Sequence, residues 1–237
     1  MTSDKGRKIH GDASNAREQG DFLKALQLID EVTIIYSEDK DYLGLSEIQG
    51  MRSLTLRHLH RKSGDINYLI LAKYSSMAAV DIAEKAEVSK AIPLFDLAKV
   101  QEEIGQLGEA SETYEDAVEA FGTNPPESHN RPGVLADMKV HMYTCMYKAG
   151  DKSALPKAMY ALIELHGSDE KTVSKYNYDV WLSGGNMRLA EILKDTDLEL
   201  AKKHLEEAKK IIDESGLKVQ SAILLSEAAA LVKQAVA

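Results

Sequence analysis

Residues 105–122 read GQLGEASETYEDAVEAFG, a glycine turn followed by one amphipathic helix. Apolar side chains recur after the turn at helical spacing and therefore share one face of that helix. They are Ala110, Tyr114, Ala117, Val118 and Phe121. Gly122 can end the helix, and the prolines that follow prevent its continuation. The stretch predicts a helix that begins at a glycine turn and buries one face.

The same Gly-polar turn recurs along the chain. It stands as Gly20-Asp21, Gly64-Asp65 and Gly150-Asp151, and in degraded form as Asp195-Thr196. Successive turns, counted from Gly20, Gly64, Gly105, Gly150 and Thr196, are 44, 41, 45 and 46 residues apart. A nearly constant period in this range is typical of a stacked array of helices.

Strand signals are almost absent, so the pattern predicts an all-α fold of about eleven helices. The predicted helices are 5–19, 22–37, 41–62, 66–86, 90–104, 108–121, 132–149, 153–166, 171–194, 197–214 and 217–235. Most connections are short, which favours antiparallel neighbours. The longest connection, 122–132, contains three prolines and is interpreted as a surface loop, because the period runs through it; a hinge or domain boundary there stays open.

The composition excludes several classes of function. The chain of 237 residues carries a net charge of -9, whereas binding to nucleic acid or to an anionic membrane surface needs a basic footprint. No stretch approaches the ~20 apolar residues that span a bilayer. A single cysteine, Cys145, permits no internal disulfide. No leader pattern is seen at the N-terminus, so an acidic cytoplasmic protein is expected.

Motifs for catalysis or cofactor binding are missing from the sequence. There is no phosphate-binding glycine loop, zinc-protease motif or nucleophile elbow. His141 and Cys145 have a spacing that a metal site can use, but two ligands do not make a site, and Cys145 is expected in the core among methionines. We therefore expect no catalytic residue, no cofactor and no metal. Paired carboxylates acting as general acid and base stay a third alternative.

The repeated unit resembles the tetratricopeptide repeat (TPR), in which a Gly-Asp-like turn joins helix A to helix B and small residues lie where the two helices cross. The unit around Gly105 matches best, through Leu94, Leu97, Ala98, Ala110, Tyr114, Ala117 and Val118. The unit around Gly20 matches through Ile9, Ala13, Ala25, Leu26, Ile29 and Val32. The period of 41–46 residues exceeds the usual length of about 34.

The TPR resemblance implies antiparallel helix pairs stacked into a right-handed superhelix, an α-solenoid. The expectation is a single domain over residues 1–237 with about five helix pairs, in which 217–237 forms a C-terminal capping helix. The resemblance also implies that helix A of each pair lines the concave surface, where repeat proteins bind extended peptides.

One stretch, residues 48–64, contains no acidic residue but many basic ones. Alignment of the turns places part of it on the helix-A surface, with residues from neighbouring units. The candidate partner-binding residues are Arg17, Met51, Leu54, His58, Arg61, Lys62, Phe95, Lys99, Tyr147 and Lys148. Such a surface predicts binding to an acidic segment or a C-terminal carboxylate of a partner protein. The alternative is a solvated face, or one that neutralises Glu102 and Glu103 within the array.

The sequence therefore predicts a non-enzymatic scaffold for protein–protein interaction that binds a peptide segment of its partner on the concave helix-A surface. The alternative function is a regulatory sensor of the TPR type that responds to a ligand or peptide. A homodimer through the apolar face of the C-terminal helix is a further hypothesis about partners.

Overall fold

A computed structural model describes residues 4–225, and this part of the chain is helical without a strand. The all-α prediction is therefore confirmed. Residues 218–225 are helical and belong to the predicted last helix. The rest of that helix lies outside the described residues, and with it most of the predicted capping element and dimer surface.

The chain divides into two compact units, Met1–Ser128 and His129–Ala237. The first unit consists of three antiparallel pairs in which each helix packs against the next. Its helices are α1 (Asp4–Glu18), α2 (Phe22–Glu38), α3 (Tyr42–Ser63), α4 (Asn67–Lys85), α5 (Ala91–Ile104) and α6 (Leu107–Thr123). A short 3-10 turn, Glu127–His129, follows them. The single domain over 1–237 stays a prediction.

The second unit repeats the arrangement with α7 packed on α8 and α10 on α11. Its helices are α7 (Pro132–Lys148), α8 (Ala154–His166), α9 (Glu170–Val173), α10 (Lys175–Leu193) and α11 (Leu198–Ser215). Their apolar faces form a core that includes Val140, Leu165 and Leu189. Cys145 is fully buried, as expected. No helix within residues 4–225 is both long and apolar enough to cross a membrane.

The glycine turns have the backbone geometry that the repeat requires. Gly105 follows α5 with φ of 92°, and Gly64 follows α3 with φ of 74°, a left-handed conformation that costs glycine little because it has no Cβ. The Gly64 N–H donates to the His60 carbonyl at 2.7 Å, which satisfies one of the last carbonyls of α3. These turns let each helix A reverse directly into its helix B.

Residues 105–122, the glycine turn and amphipathic helix, fold as their sequence pattern predicts. In α6, Ala110, Tyr114, Ala117 and Phe121 are buried, while Val118 lies at the edge of the buried face. The Tyr114 hydroxyl donates to Glu102 Oε2 at 2.9 Å across the pair, so the ring is buried without an unsatisfied polar group.

The predicted helix 171–194 is divided in the structure into α9 and α10. Ser174 has extended backbone and separates α9 from α10, where its hydroxyl accepts from the Asn177 N–H at 3.4 Å as an N-cap. The prediction runs the helix through Gly184-Gly185, and α10 does continue through both residues. Gly185 permits a close approach of the two helices, since a Cβ there would lie 2.7 Å from Leu162 Cδ1 of α8.

Candidate partner-binding site

The acid-free basic stretch lies in α3, where Arg57 and Arg61 face α5. Its third arginine, Arg52, pairs with Asp30 of α2. Arg57 is only 5% exposed, and its Nη2 donates to Glu103 Oε1 at 2.7 Å. Arg61, one turn further on, forms an ion pair with the same carboxylate. The helix periodicity puts both arginines on one face, so a single glutamate of α5 joins them. This arrangement links the helices A of the second and third pairs.

Glu103 is held ionised in this setting. Burial on its own would raise its pKa, but the charges and hydrogen bonds of Arg57 and Arg61 outweigh burial and lower the pKa to about 2. The same carboxylate raises the pKa of Arg57 although burial opposes that change. All three groups are therefore charged at neutral pH.

His58 lies between these charges but is itself neutral at physiological pH. Burial lowers its pKa well below the usual value, and the nearby charges of Arg61, Arg57 and Arg17 lower it further. Its ring stacks on Phe22 at the start of α2, with 5.4 Å between ring centroids. The two half-buried rings form a stacked pair beside the arginines.

Two more cations lie beside the stacked His58–Phe22 ring pair. Lys62 is exposed, and its Nζ lies 6.0 Å from the centroid of the Phe22 ring. Arg17, in α1, pairs with Glu18 and donates to Ser14 Oγ at 3.3 Å. The basic cluster is defined here as Arg17, Arg57, His58, Arg61, Lys62 and Glu103. Within this cluster Arg17, Arg57, Arg61 and Lys62 are the cations, and Glu103 is the carboxylate.

The other candidates in the first unit are more enclosed. Met51 packs against the core between the first two pairs, and Leu54 is half-buried. Phe95 is buried against Tyr114, with 5.8 Å between their centroids. The Lys99 ammonium lies 3.6 Å from the centroid of the Phe95 ring and 3.4 Å from Asp96 Oδ1. Each of these residues is buried or half-buried, so they offer a partner less surface than the exposed cations do.

The last two candidates lie in the second unit. Tyr147 is buried in its core, with the Lys152 ammonium 3.8 Å from the ring centroid. Lys148 forms an ion pair with Glu191 Oε2 at 2.5 Å, which joins α7 to α10. The structure therefore brings four of the candidates together in the first unit: Arg17, His58, Arg61 and Lys62. In the second unit, Tyr147 is part of the core and Lys148 lies at the contact between α7 and α10.

Sequence reasoning did not assign roles to Arg57 and Phe22. Arg57 belongs to the basic stretch, but the signal for its burial is its position one turn before Arg61, on the side toward α5. Phe22 directly follows the Gly20-Asp21 turn, and no local pattern in the sequence pairs it with His58. Among the described residues 4–225, no group of three or more His, Cys, Asp or Glu side chains is placed to hold a metal ion.

Comparison with known proteins identifies the architecture. No protein-family model matches the sequence, and no curated protein is significantly similar to it. Among solved structures, BtubC (BKLC) from P. vanneervenii is similar with a TM-score of 0.58 and 19% identity over 89% of this chain and 80% of that one. The P. anserina putative kinesin light chain with nearly identical TPR-like repeats has a TM-score of 0.57 and 15% identity, over 91% of this chain and 99% of that one.

At these identities the likeness shows the fold. The TPR-like helix-pair architecture implied by the turn motif is confirmed, in spite of the long period. The chain therefore has a helical repeat fold built from TPR-like pairs.

Proposed function

We propose that this scaffold binds an acidic segment of a partner protein on the helix-A face of its first unit, at the basic cluster. The observation that carries the proposal is that two arginines share one carboxylate but differ in exposure. Arg57 is buried and is paired with Glu103, whereas Arg61 pairs with the same carboxylate from the exposed edge. A guanidinium has five N–H donors, so one arginine can hold two carboxylates.

The surroundings specify the kind of segment. The stacked rings of His58 and Phe22 are only half-buried and offer apolar surface next to Arg61 and Lys62. Because His58 is neutral, an apolar side chain of the partner can cover it without desolvating a charge. We therefore expect a ligand in which acidic residues alternate with apolar ones, or one that ends in a carboxylate next to an apolar residue.

The test uses a fluorescent peptide of alternating Glu and Leu residues, prepared with a free C-terminus and with an amide. The double variant R61E/K62E is expected to lose about tenfold or more in affinity, since charge-assisted hydrogen bonds are lost and repulsion replaces them. Fluorescence anisotropy measures the dissociation constants. If R61E/K62E weakens binding of only the peptide with a free C-terminus, the ligand is a terminal carboxylate. If it weakens binding of both peptides, the ligand is an internal acidic segment.

A matched control separates the site from bulk charge. The variant K202E/K203E changes two adjacent exposed lysines of α11 in the second unit and alters the net charge by the same amount. It is expected to keep wild-type affinity at 0.15 M salt, where distant exposed charges are screened. Equal affinity of wild type and R61E/K62E would refute the proposal.

A further inference from the structure

The outer face of α4, the helix B of the second pair, carries a stripe of exposed apolar side chains. Its members are 43–66% exposed. They are Ile66, Ile70, Leu71, Tyr74 and Met77. The opposite face of α4 is buried through Leu69, Ala72, Ala79 and Ala83. A helix that is apolar on both faces is normally covered on both sides.

The stripe is large and almost free of charge. Between Ile66 and Val80 the only charged residue is Lys73. Its ammonium donates to Gln106 Oε1 at 2.8 Å and lies 3.7 Å from Glu109, so it is drawn toward α6 and away from the stripe. The five apolar side chains expose roughly 500 Å², near the upper end for the largest patch of a monomer.

The spacing along the stripe is that of a coiled-coil seam. Asn67, Ile70, Tyr74, Met77 and Asp81 follow one another at intervals of three, four, three and four residues. This alternation keeps a line of side chains facing one partner helix. Asn67 and Asp81 are both exposed, so a polar residue closes the apolar seam at each end.

We propose that the occupant of this face is α4 of a second copy of the chain, packed antiparallel about a two-fold axis at Tyr74. In that register Ile70 lies opposite Met77, Leu71 lies opposite Ala78, and Asn67 lies opposite Asp81. Large side chains thus meet a small or flexible one, and the Asn67 amide donates to the Asp81 carboxylate of the other copy. A two-fold axis makes each of these pairs twice.

The seam complements itself, and this favours a second copy over a foreign helix. An antiparallel pair also places the oppositely charged helix ends side by side. The roughly 500 Å² of the stripe is more than half of the about 800 Å² per partner that a standard interface buries. The basic cluster is formed by helices A and their turns, so the dimer does not depend on the proposed peptide site.

Sedimentation equilibrium of the full chain over a concentration series tests the proposal. We expect the wild type to approach twice the 26.1 kDa mass of one chain. The variant Tyr74→Glu places two carboxylates face to face on the axis and is expected to weaken the dimer about 100-fold, because an apolar contact becomes a like-charge repulsion. R61E/K62E is expected to keep the wild-type dimer.

The matched control is Tyr160→Glu on α8, because Tyr160 is 63% exposed and Tyr74 is 66% exposed. It is expected to dimerise like the wild type. A wild type that stays monomeric at the highest soluble concentration overturns the proposal. Loss of the dimer in Tyr160→Glu also overturns it. The same holds if removal of residues 226–237 abolishes the dimer while Tyr74→Glu still dimerises.

The polar ends test the register. Asn67→Lys adds two ion pairs with Asp81 and is expected to tighten the dimer about fivefold, whereas Asn67→Asp sets like charges opposite and is expected to weaken it by a similar factor. The double variant N67D/D81N restores the pair in reversed order and should recover the affinity. Equal effects of Asn67→Lys and Asn67→Asp would rule out the antiparallel register.

Discussion

Replacement of Glu103 by glutamine is expected to lower the free energy of unfolding by about 3 kcal/mol at neutral pH. Glu103 is the carboxylate to which Arg57 donates, and Arg57 is almost fully buried. Within the described part of the chain, Arg57 Nε has no hydrogen-bond partner, so the guanidinium depends on Glu103. An amide in this place would leave a buried cation without the counter-charge to which it is hydrogen-bonded.

The loss has a characteristic pH dependence. The pKa of Glu103 is lowered from 4.5 to about 2, so the ionised form stabilises the fold fully above pH 4.5, and this stabilisation is lost as the pH falls toward 2. Urea unfolding followed by circular dichroism should show the full difference between wild type and Glu103→Gln at pH 7. At pH 3 less than half of the difference should remain, as linkage requires.

The control for Glu103→Gln is Glu112→Gln, which changes an exposed carboxylate of α6 in the same unit. Surface substitutions of this kind are expected to stay within about 0.5 kcal/mol of the wild type at every pH. A difference for Glu103→Gln that is constant between pH 7 and pH 3 would contradict the assignment of Glu103 as an ionised bridge.

Replacement of Arg131 by methionine is expected to destabilise the second unit by about 3–5 kcal/mol. Arg131 precedes α7, and its Nε and Nη2 donate to the two carboxylate oxygens of Glu170 at 2.8 and 2.9 Å. Glu170 is fully buried in α9, and Gly133 makes room for it, since a Cβ there would lie 2.9 Å from Glu170 Cβ. Without Arg131 the site holds an uncompensated buried charge.

The control for Arg131→Met is Lys139→Met, which breaks the Lys139–Glu164 pair of the same unit. That pair is 3.3 Å apart and both side chains are about one third exposed. An exposed ion pair contributes about 0–1 kcal/mol, so Lys139→Met should shift the urea midpoint only slightly. Equal midpoints for the two variants would show that burial of Glu170 does not carry the effect.

The periodic features of the fold were predictable from the sequence. The glycine turns and the apolar face of α6 are local signals, and both are found where the pattern puts them. The sequence does not say whether Gly185 marks a kink or a close approach, because its packing against Leu162 is a tertiary contact. Ser174 was missed because an N-cap inside a periodic stretch does not disturb the periodicity.

The candidate site was predictable only in part, for a related reason. The basic stretch on α3 is visible in the sequence, and Glu103 was already considered as its neutraliser. Which arginine is buried depends on the packing of α3 against α5, which local patterns do not report. The stacking of His58 on Phe22 likewise joins residues from different helix pairs. Such contacts follow from how the pairs stack.

The most direct test of the central claim, that the helix-A face of the first unit binds an acidic segment, is amide hydrogen exchange with and without the Glu/Leu peptide at saturation. We predict slower exchange at the C-terminal end of α3, residues 57–64, and around Arg17, with no change in α8. Protection confined to α4 or to the second unit, with the peptide bound, would contradict the claim.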